Sequence, residues 1–411
     1  MKNILITAYD IDPYKGSESA TGWNYPLNLS KNNNVTVVTR NNNLPNIKKY
    51  IFENNLNEEN LNFIGFDLPN WAMFWKRKAR GSFLYYYLWQ FFLALNMLSR
   101  KDEFDVCHAL NFHCDWAPSF LWLLRKPLVW GPINHNERLP DYIVSNLSFK
   151  SKFNERLKYI FKLFFWKLDP FLNLCKFKSS RILVGHHKVI ERLNLDSSKC
   201  VLFNQIATEM PDKKIKRSNQ KFSVLFVGRG LLIKNYSSVI ESFILAFESN
   251  PKFKNNVELN LVGVGAKGKK EIDKLLQEFN SKLDVNVVEW VEYTAVSEFY
   301  KNADVFCFPS YEGAGMVIAE ALSYSLPVIT IDRNGASHEL DNTVSFVVSS
   351  ENRKLMIEEI ANSLVVLASD DCLREQMSIN SYFYASSKLS WKVKSDTISQ
   401  IYNELKFRSL D

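Results

Sequence analysis

The chain has 411 residues, more than one core ordinarily organises, so two domains are expected, and with 46% hydrophobic and 14% aromatic residues it can fill sizeable cores. Its 51 Lys and Arg against 44 Asp and Glu leave a net charge of +7, a modest basicity that fits an anionic ligand or membrane surface. Six cysteines without a C-x-x-C pair argue against a zinc site and for reduced thiols in a cytosolic protein.

In chain order, Lys2–Ala8 reads as a strand, Ser17–Ser30 as a helix and Val35–Thr39 as a β-branched strand, the seed of a parallel sheet. The opening MKNILITAYD lacks the longer apolar region of a signal peptide. Gly16 stands at the helix start beside Ser17, Glu18 and Ser19. There, backbone N–H groups and the helix dipole favour a phosphate, although a plain N-cap by Ser17 or Ser19 explains the same residues. Asp10 and Asp12 form a D-x-D that a hard cation would accept. Pro13 makes it turn chemistry instead, and no metal site is expected.

Phe83–Leu98 is apolar, but at 16 residues with Gln90 and Asn96 inside it falls short of the roughly 20 that span a bilayer. Phe104–Asn111 reads as a strand and Pro127–Gly131 as another ending at a glycine turn. His108 lies in the first of these, His113, Asp115 and Trp116 lie between the two, and His135 follows. Two basic aromatic stretches flank this region. Each fits either a helix with its apolar face in the core or a contact with an anionic membrane; the first reading is preferred for Trp71–Arg100 and the second for Lys150–Lys178. No nucleic-acid motif is present. Arg181–Gly185 is a strand, His187–Asn194 a short helix, and Glu209–Gln220 a charged linker.

The pattern then restarts. The strand Phe222–Val227 runs into Gly228, Arg229 and Gly230, then Lys234 and a helix over Ser237–Glu248. Gly263, Gly265 and Gly268, with Glu289 about twenty residues on, have the spacing of a dinucleotide fingerprint. An NAD-dependent enzyme is therefore considered, yet it gives no role to Arg229, Lys234, Glu312 or Glu320. Those last two bracket the run EGAGMVIAE, where the strand Asp304–Phe308 meets a glycine turn at Gly313 and Gly315 and a helix begins. Glu320, about five residues into that helix, lies roughly 8 Å along the axis from Glu312. This suits a ligand with hydroxyls at both ends and a diphosphate between them.

Glu312 and Glu320 with seven residues between them, together with the run FVGRGLLIK upstream, resemble the E-x7-E and diphosphate-binding signatures of retaining glycosyltransferases of family 4, which share their donor site with the glycogen synthases. The resemblance implies an α/β GT-B fold, two Rossmann-like parallel-sheet domains facing across a cleft. Residues 1–208 would form the acceptor domain, 209–385 the donor domain, and 386–411 a terminal helix crossing back to the first. It implies a UDP- or GDP-linked sugar as donor, no cofactor, no metal and retention at the anomeric carbon. Arg229 and Lys234 would hold the diphosphate, aided by backbone at Gly16, Gly228, Gly313, Gly315 and Met316. Glu320 would bind the ribose, Glu312 the donor sugar, and Trp290 the base. HALNFHCDW resembles the HAHDWH segment of glycogen and starch synthases, which would bring His113 to the donor sugar, but Leu110 replaces the second histidine. The acceptor expected is a glycan or lipid-linked hydroxyl in surface polysaccharide synthesis, used in the cytoplasm or peripherally on the inner face of the cell membrane. A UDP-sugar epimerase of the same fold and a non-catalytic membrane-tethered scaffold are the alternatives.

Overall fold

Short apolar and β-branched runs pair in parallel in two sheets. The computed structural model describes residues 1–57, 59–73, 75, 81–110, 114–134, 138–145, 148–212, 221–254, 256–278 and 283–405. His113, His135, the basic residues Lys76 to Arg80 and most of the expected linker lie outside them. The first sheet contains β1 (Asn3–Thr7), β2 (Asn34–Thr39), β3 (Leu61–Gly65), β4 (Val106–Ala109), β5 (Leu128–Ile133), β6 (Arg181–Val184) and β7 (Cys200–Leu202). Their order is β3-β2-β1-β4-β5-β6-β7. The second contains β8 (Phe222–Val227), β9 (Val257–Val262), β10 (Val285–Val288), β11 (Val305–Phe308), β12 (Val328–Ile331) and β13 (Ser345–Val348), ordered β10-β9-β8-β11-β12-β13. Every residue of β5, β8, β11 and β12 is buried, as strands covered by helices on both faces must be. With the helices that cover them, the two sheets form two parallel α/β domains.

The chain divides into two compact units. One comprises Met1–His135, Phe149–Gln205 and Trp391–Asp411, the other Asn136–Ser148 and Ile206–Ser390. In the first, the Ser82–Asn96 helix buries Tyr85, Trp89 and Leu93. Its polar tips are satisfied: Trp89 donates to the Phe66 carbonyl at 2.7 Å and the Tyr85 hydroxyl to Asp67 at 2.5 Å. The expected end of a strand at Gly131 is corrected, because β5 runs on to Ile133. Gly131 takes φ +120° with the Leu183 carbonyl 2.3 Å from where a Cβ would stand, so glycine carries an irregularity within the strand, where the register against β6 shifts, and does not end it.

His108 on β4 is fully buried. Its Nε2 lies 2.7 Å from the Gly131 carbonyl and its Nδ1 2.5 Å from the Tyr402 hydroxyl. A carbonyl only accepts, so Nε2 carries the proton and Nδ1 accepts from Tyr402. Burial pushes this imidazole down to about 4. It is a neutral structural histidine that ties the Trp391–Glu404 helix to the sheet, aided by the edge contact of Trp391 with Tyr25 at 5.1 Å and by Lys394 on the Asn204 carbonyl at 3.0 Å.

Candidate functional site

In a parallel sheet whose strand order reverses, the loops after the two strands flanking the reversal diverge and leave a crevice. In the second unit those strands are β8 and β11. The loop after β8 turns through Gly228 and Gly230, whose N–H groups reach the Val262 and Val264 carbonyls at 2.9 and 3.0 Å. A Cβ on Gly230 would stand 2.3 Å from the Val264 carbonyl, so only glycine lets the two turns approach. Gly263 and Gly265, at φ +85° and +72°, form the other turn, and Glu289 pairs with Lys269 at 3.5 Å. The glycine triplet is thus accounted for by loop packing.

The β8 loop ends in a tight turn over Leu232–Lys234. It is tied to the β11 loop by Tyr311 N–H on the Ile233 carbonyl at 2.8 Å and by the Asn235 amide on the Pro309 carbonyl at 3.0 Å. Those bonds set Lys234 Nζ directly on the Glu312 carboxylate. The two side chains are 15% and 17% exposed, enough enclosure for the pair to be weakly screened. The Phe308 ring lies 5.1 Å from the ammonium. Gly315, at φ +83°, is the N-cap of the Met316–Ser323 helix, whose N-terminal end carries the positive pole of the helix dipole.

Glu320 stands on that helix and accepts from Tyr300 Oη at 2.9 Å and Tyr293 Oη at 3.3 Å. Desolvation raises its carboxyl above the ordinary range, while the two hydroxyls and the Lys234 charge pull it back. Behind the site, Gly335 N–H donates to the Glu312 carbonyl at 2.8 Å, and a Cβ there would meet the Gly313 carbonyl at 1.6 Å. Gly335→Ala is therefore expected to lower stability by about 1–3 kcal/mol through forced backbone displacement. A denaturation midpoint equal to wild type would refute that packing argument.

Of the residues singled out, Lys234, Glu312, Gly313, Gly315, Met316 and Glu320 are gathered here. Gly228 supports the loop below Lys234. Arg229 is exposed in the same loop, and Trp290 is 70% exposed next to the segment that carries Tyr293. Gly16 belongs to the first unit, where it precedes the Ser17–Leu29 helix. Gly16 itself is the N-cap and has no side chain to offer, so neither Ser17 nor Ser19 caps the helix; Ser19, inside the first turn, donates to Asp10 at 2.7 Å. Asp12 is taken up by Lys15 at 2.8 Å and Asn46 at 3.0 Å. His113 lies outside the described residues. Tyr300 and Asn235 escaped sequence reasoning: both act through partners distant in sequence, and neither residue type marks a motif.

Residues 208–382 match the family model Glycosyl transferases group 1. Alpha-D-kanosaminyltransferase of Streptomyces kanamyceticus is 24% identical over 183 residues, 44% of this chain and 45% of that protein, so the match spans less than half the length of this curated relative. Among solved structures, HepE of Anabaena in complex with UDP and glucose superposes with a TM-score of 0.61 at 14% identity, over 98% of this chain and all of that one. Sucrose-phosphate synthase of Thermosynechococcus elongatus does so at 0.66 and 15% identity, over 98% and 99%. Residues 208–382 of the second unit thus resemble the group 1 glycosyltransferases, and the chain as a whole has the GT-B fold.

Proposed function

We propose that the protein transfers a sugar from a UDP- or GDP-linked donor to a hydroxyl of a glycan or lipid-linked acceptor, with retention at the anomeric carbon and without a metal. The Lys234–Glu312 pair beside the Gly315 helix start, at the reversal point of the second sheet, carries this reading. Lys234 and Arg229 face the charge that grows on the departing diphosphate, and the N–H groups after Gly315 add fixed dipoles. Glu312 holds the ammonium in position and is offered to the donor sugar hydroxyls. Glu320 accepts from the ribose, and the Trp290–Tyr293 segment meets the base. The first unit, with Gly16 and the His113 segment after β1 and β4, receives the acceptor. A leaving phosphate oxygen takes the acceptor proton on the same face, so no side-chain base is needed.

The kanosaminyltransferase match and the UDP and glucose held by HepE support a nucleotide-sugar donor. The test is a panel of nucleotide sugars with the product anomer read by proton NMR, with and without EDTA. An inverted product or full loss of turnover with EDTA would overturn the mechanism, and sugar conversion without acceptor would favour an epimerase.

Glu320→Gln is expected to weaken nucleotide binding roughly tenfold or more, since a charge-assisted bond becomes a neutral one. The fold should not suffer. The raised carboxyl means the native state holds its proton more tightly, so stability falls as pH rises from the ordinary carboxylate value through the raised one. The amide lacks that dependence. Calorimetric titration with the nucleotide checks the first effect, and unchanged affinity would remove Glu320 from the ribose.

A further inference from the structure

The Phe149–Leu168 helix docks on the first unit through one face and turns its apolar stripe outward. On the docked side Trp166 is buried and donates to the buried Asp115 at 3.1 Å, and Phe165 packs on Phe83 and Trp116 with centroids 5.0 and 5.6 Å apart. Away from it, Phe153, Leu157, Ile160, Phe161, Phe164 and Leu168 are between 47% and 66% exposed. At 3.6 residues per turn these six fall within an arc of about 100°. Surface helices ordinarily bury such a stripe. Arg156 and Lys167 edge it on one side and Lys158 on the other, all exposed. The following Pro170–Lys178 helix adds Phe177, 71% exposed.

Charge decides what covers this face. Over residues 149–178 eight Lys and Arg oppose only Glu155 and Asp169, a net +6 of the +7 carried by the whole chain. A second copy would bring the same charge against itself, so self-association is disfavoured. Beside the stripe opens a cavity of about 550 Å³ lined by Lys167, Lys176, Arg192, Lys199 and Phe177, with Asp196 as its one acid. Arg192 is fixed there, 3.5 Å from Asp115 and over the Trp166 ring at 5.1 Å. Lys199 is fixed on the Phe177 carbonyl at 2.7 Å. Cations around a cavity next to exposed rings match a lipid phosphate above its acyl chains. Among the described residues no helix is long and apolar enough to cross a membrane, so the contact is in plane.

We propose that this pair of helices lies in the surface of an anionic phospholipid bilayer, the stripe among the acyl chains and the cavity on headgroup phosphate. The proposal is independent of the transfer reading, because binding is measured without donor or acceptor. Full-length protein is floated with vesicles of phosphatidylcholine alone and of phosphatidylcholine mixed with phosphatidylglycerol. Partition is expected to be about tenfold greater or more on the mixed vesicles and to fall with salt. Phe161→Asp with Phe164→Asp, both exposed and so tolerable to the fold, should abolish it while nucleotide affinity stays unchanged. Lys167→Gln with Lys199→Gln should reduce it roughly fivefold per charge. No flotation with the anionic vesicles, equal flotation of the Phe161/Phe164 variant, or a dimer that this variant dissociates without any vesicle binding would each overturn it.

Discussion

Lys234→Ala is expected to lower turnover by about 10²- to 10³-fold, the loss that follows when one preorganised charge is withdrawn from a transition state that develops a diphosphate anion. The substitution has a second effect that must be separated from the first. Lys234 is the partner of Glu312, whose side chain is only 17% exposed, and removing one member of an enclosed pair leaves the other charge uncompensated. A less stable Lys234→Ala protein would then lose activity for an uninteresting reason. The double variant Lys234→Ala with Glu312→Gln removes the stranded charge, so stability should return while turnover stays low. Stopped assays with the true donor, together with denaturation midpoints, distinguish the two effects. Near-normal turnover in Lys234→Ala would take the ammonium out of the mechanism, and recovery of turnover in the double variant would make its role structural.

Acid weakens the first unit through His108. The imidazole is held neutral, its folded value depressed to about 4 by burial from an unfolded value near 6.5. Between those values the unfolded chain binds the extra proton, so stability is fully present above pH ~6.5 and is lost as pH falls toward about 4. The gap corresponds to roughly 3 kcal/mol. Asp115 acts over part of the same range with the opposite sign, since burial raises its carboxyl to about 6 against the pull of Arg192. The measurement is therefore a comparison of urea midpoints at neutral and mildly acid pH between wild type and His108→Gln. The variant should be less stable at neutral pH, where a buried bond geometry is lost, and should show a smaller decline with acid. Equal slopes in the two proteins would refute the assignment. Tyr402→Phe, which leaves Nδ1 without its donor, should cost about 1–3 kcal/mol at neutral pH.

Much of the architecture follows from short-range pattern. Strands such as Phe222–Val227 are continuous apolar runs between turn residues, and the Ser17–Leu29 helix falls within a residue of its expected ends. Where the pattern misled, a long-range contact was responsible. Gly131 has the look of a turn, but the Leu183 carbonyl beside it keeps it inside β5. The glycine triplet at Gly263 to Gly268 has dinucleotide spacing, yet Gly263 and Gly265 serve a turn of positive φ and Gly268 the close approach of Gly230. Leu61–Gly65 and Ser345–Val348 went unread because each is a short edge strand with little alternation.

By itself the amino-acid order determined that two parallel α/β halves would form and which glycines, cations and carboxylates lie at strand ends, because backbone freedom and apolar burial are properties of neighbouring residues. Which of these meet was decided only when the sheets assembled. Lys234 finds Glu312 across 78 positions because β8 and β11 are neighbours, and Glu320 is enclosed by Tyr293 and Tyr300 from another segment. His108 became a buried clamp for the same reason, through Tyr402 at the far end of the chain. Charge pairing and desolvation act through space over a few ångströms, and the strand order that creates those distances is not written in any local stretch.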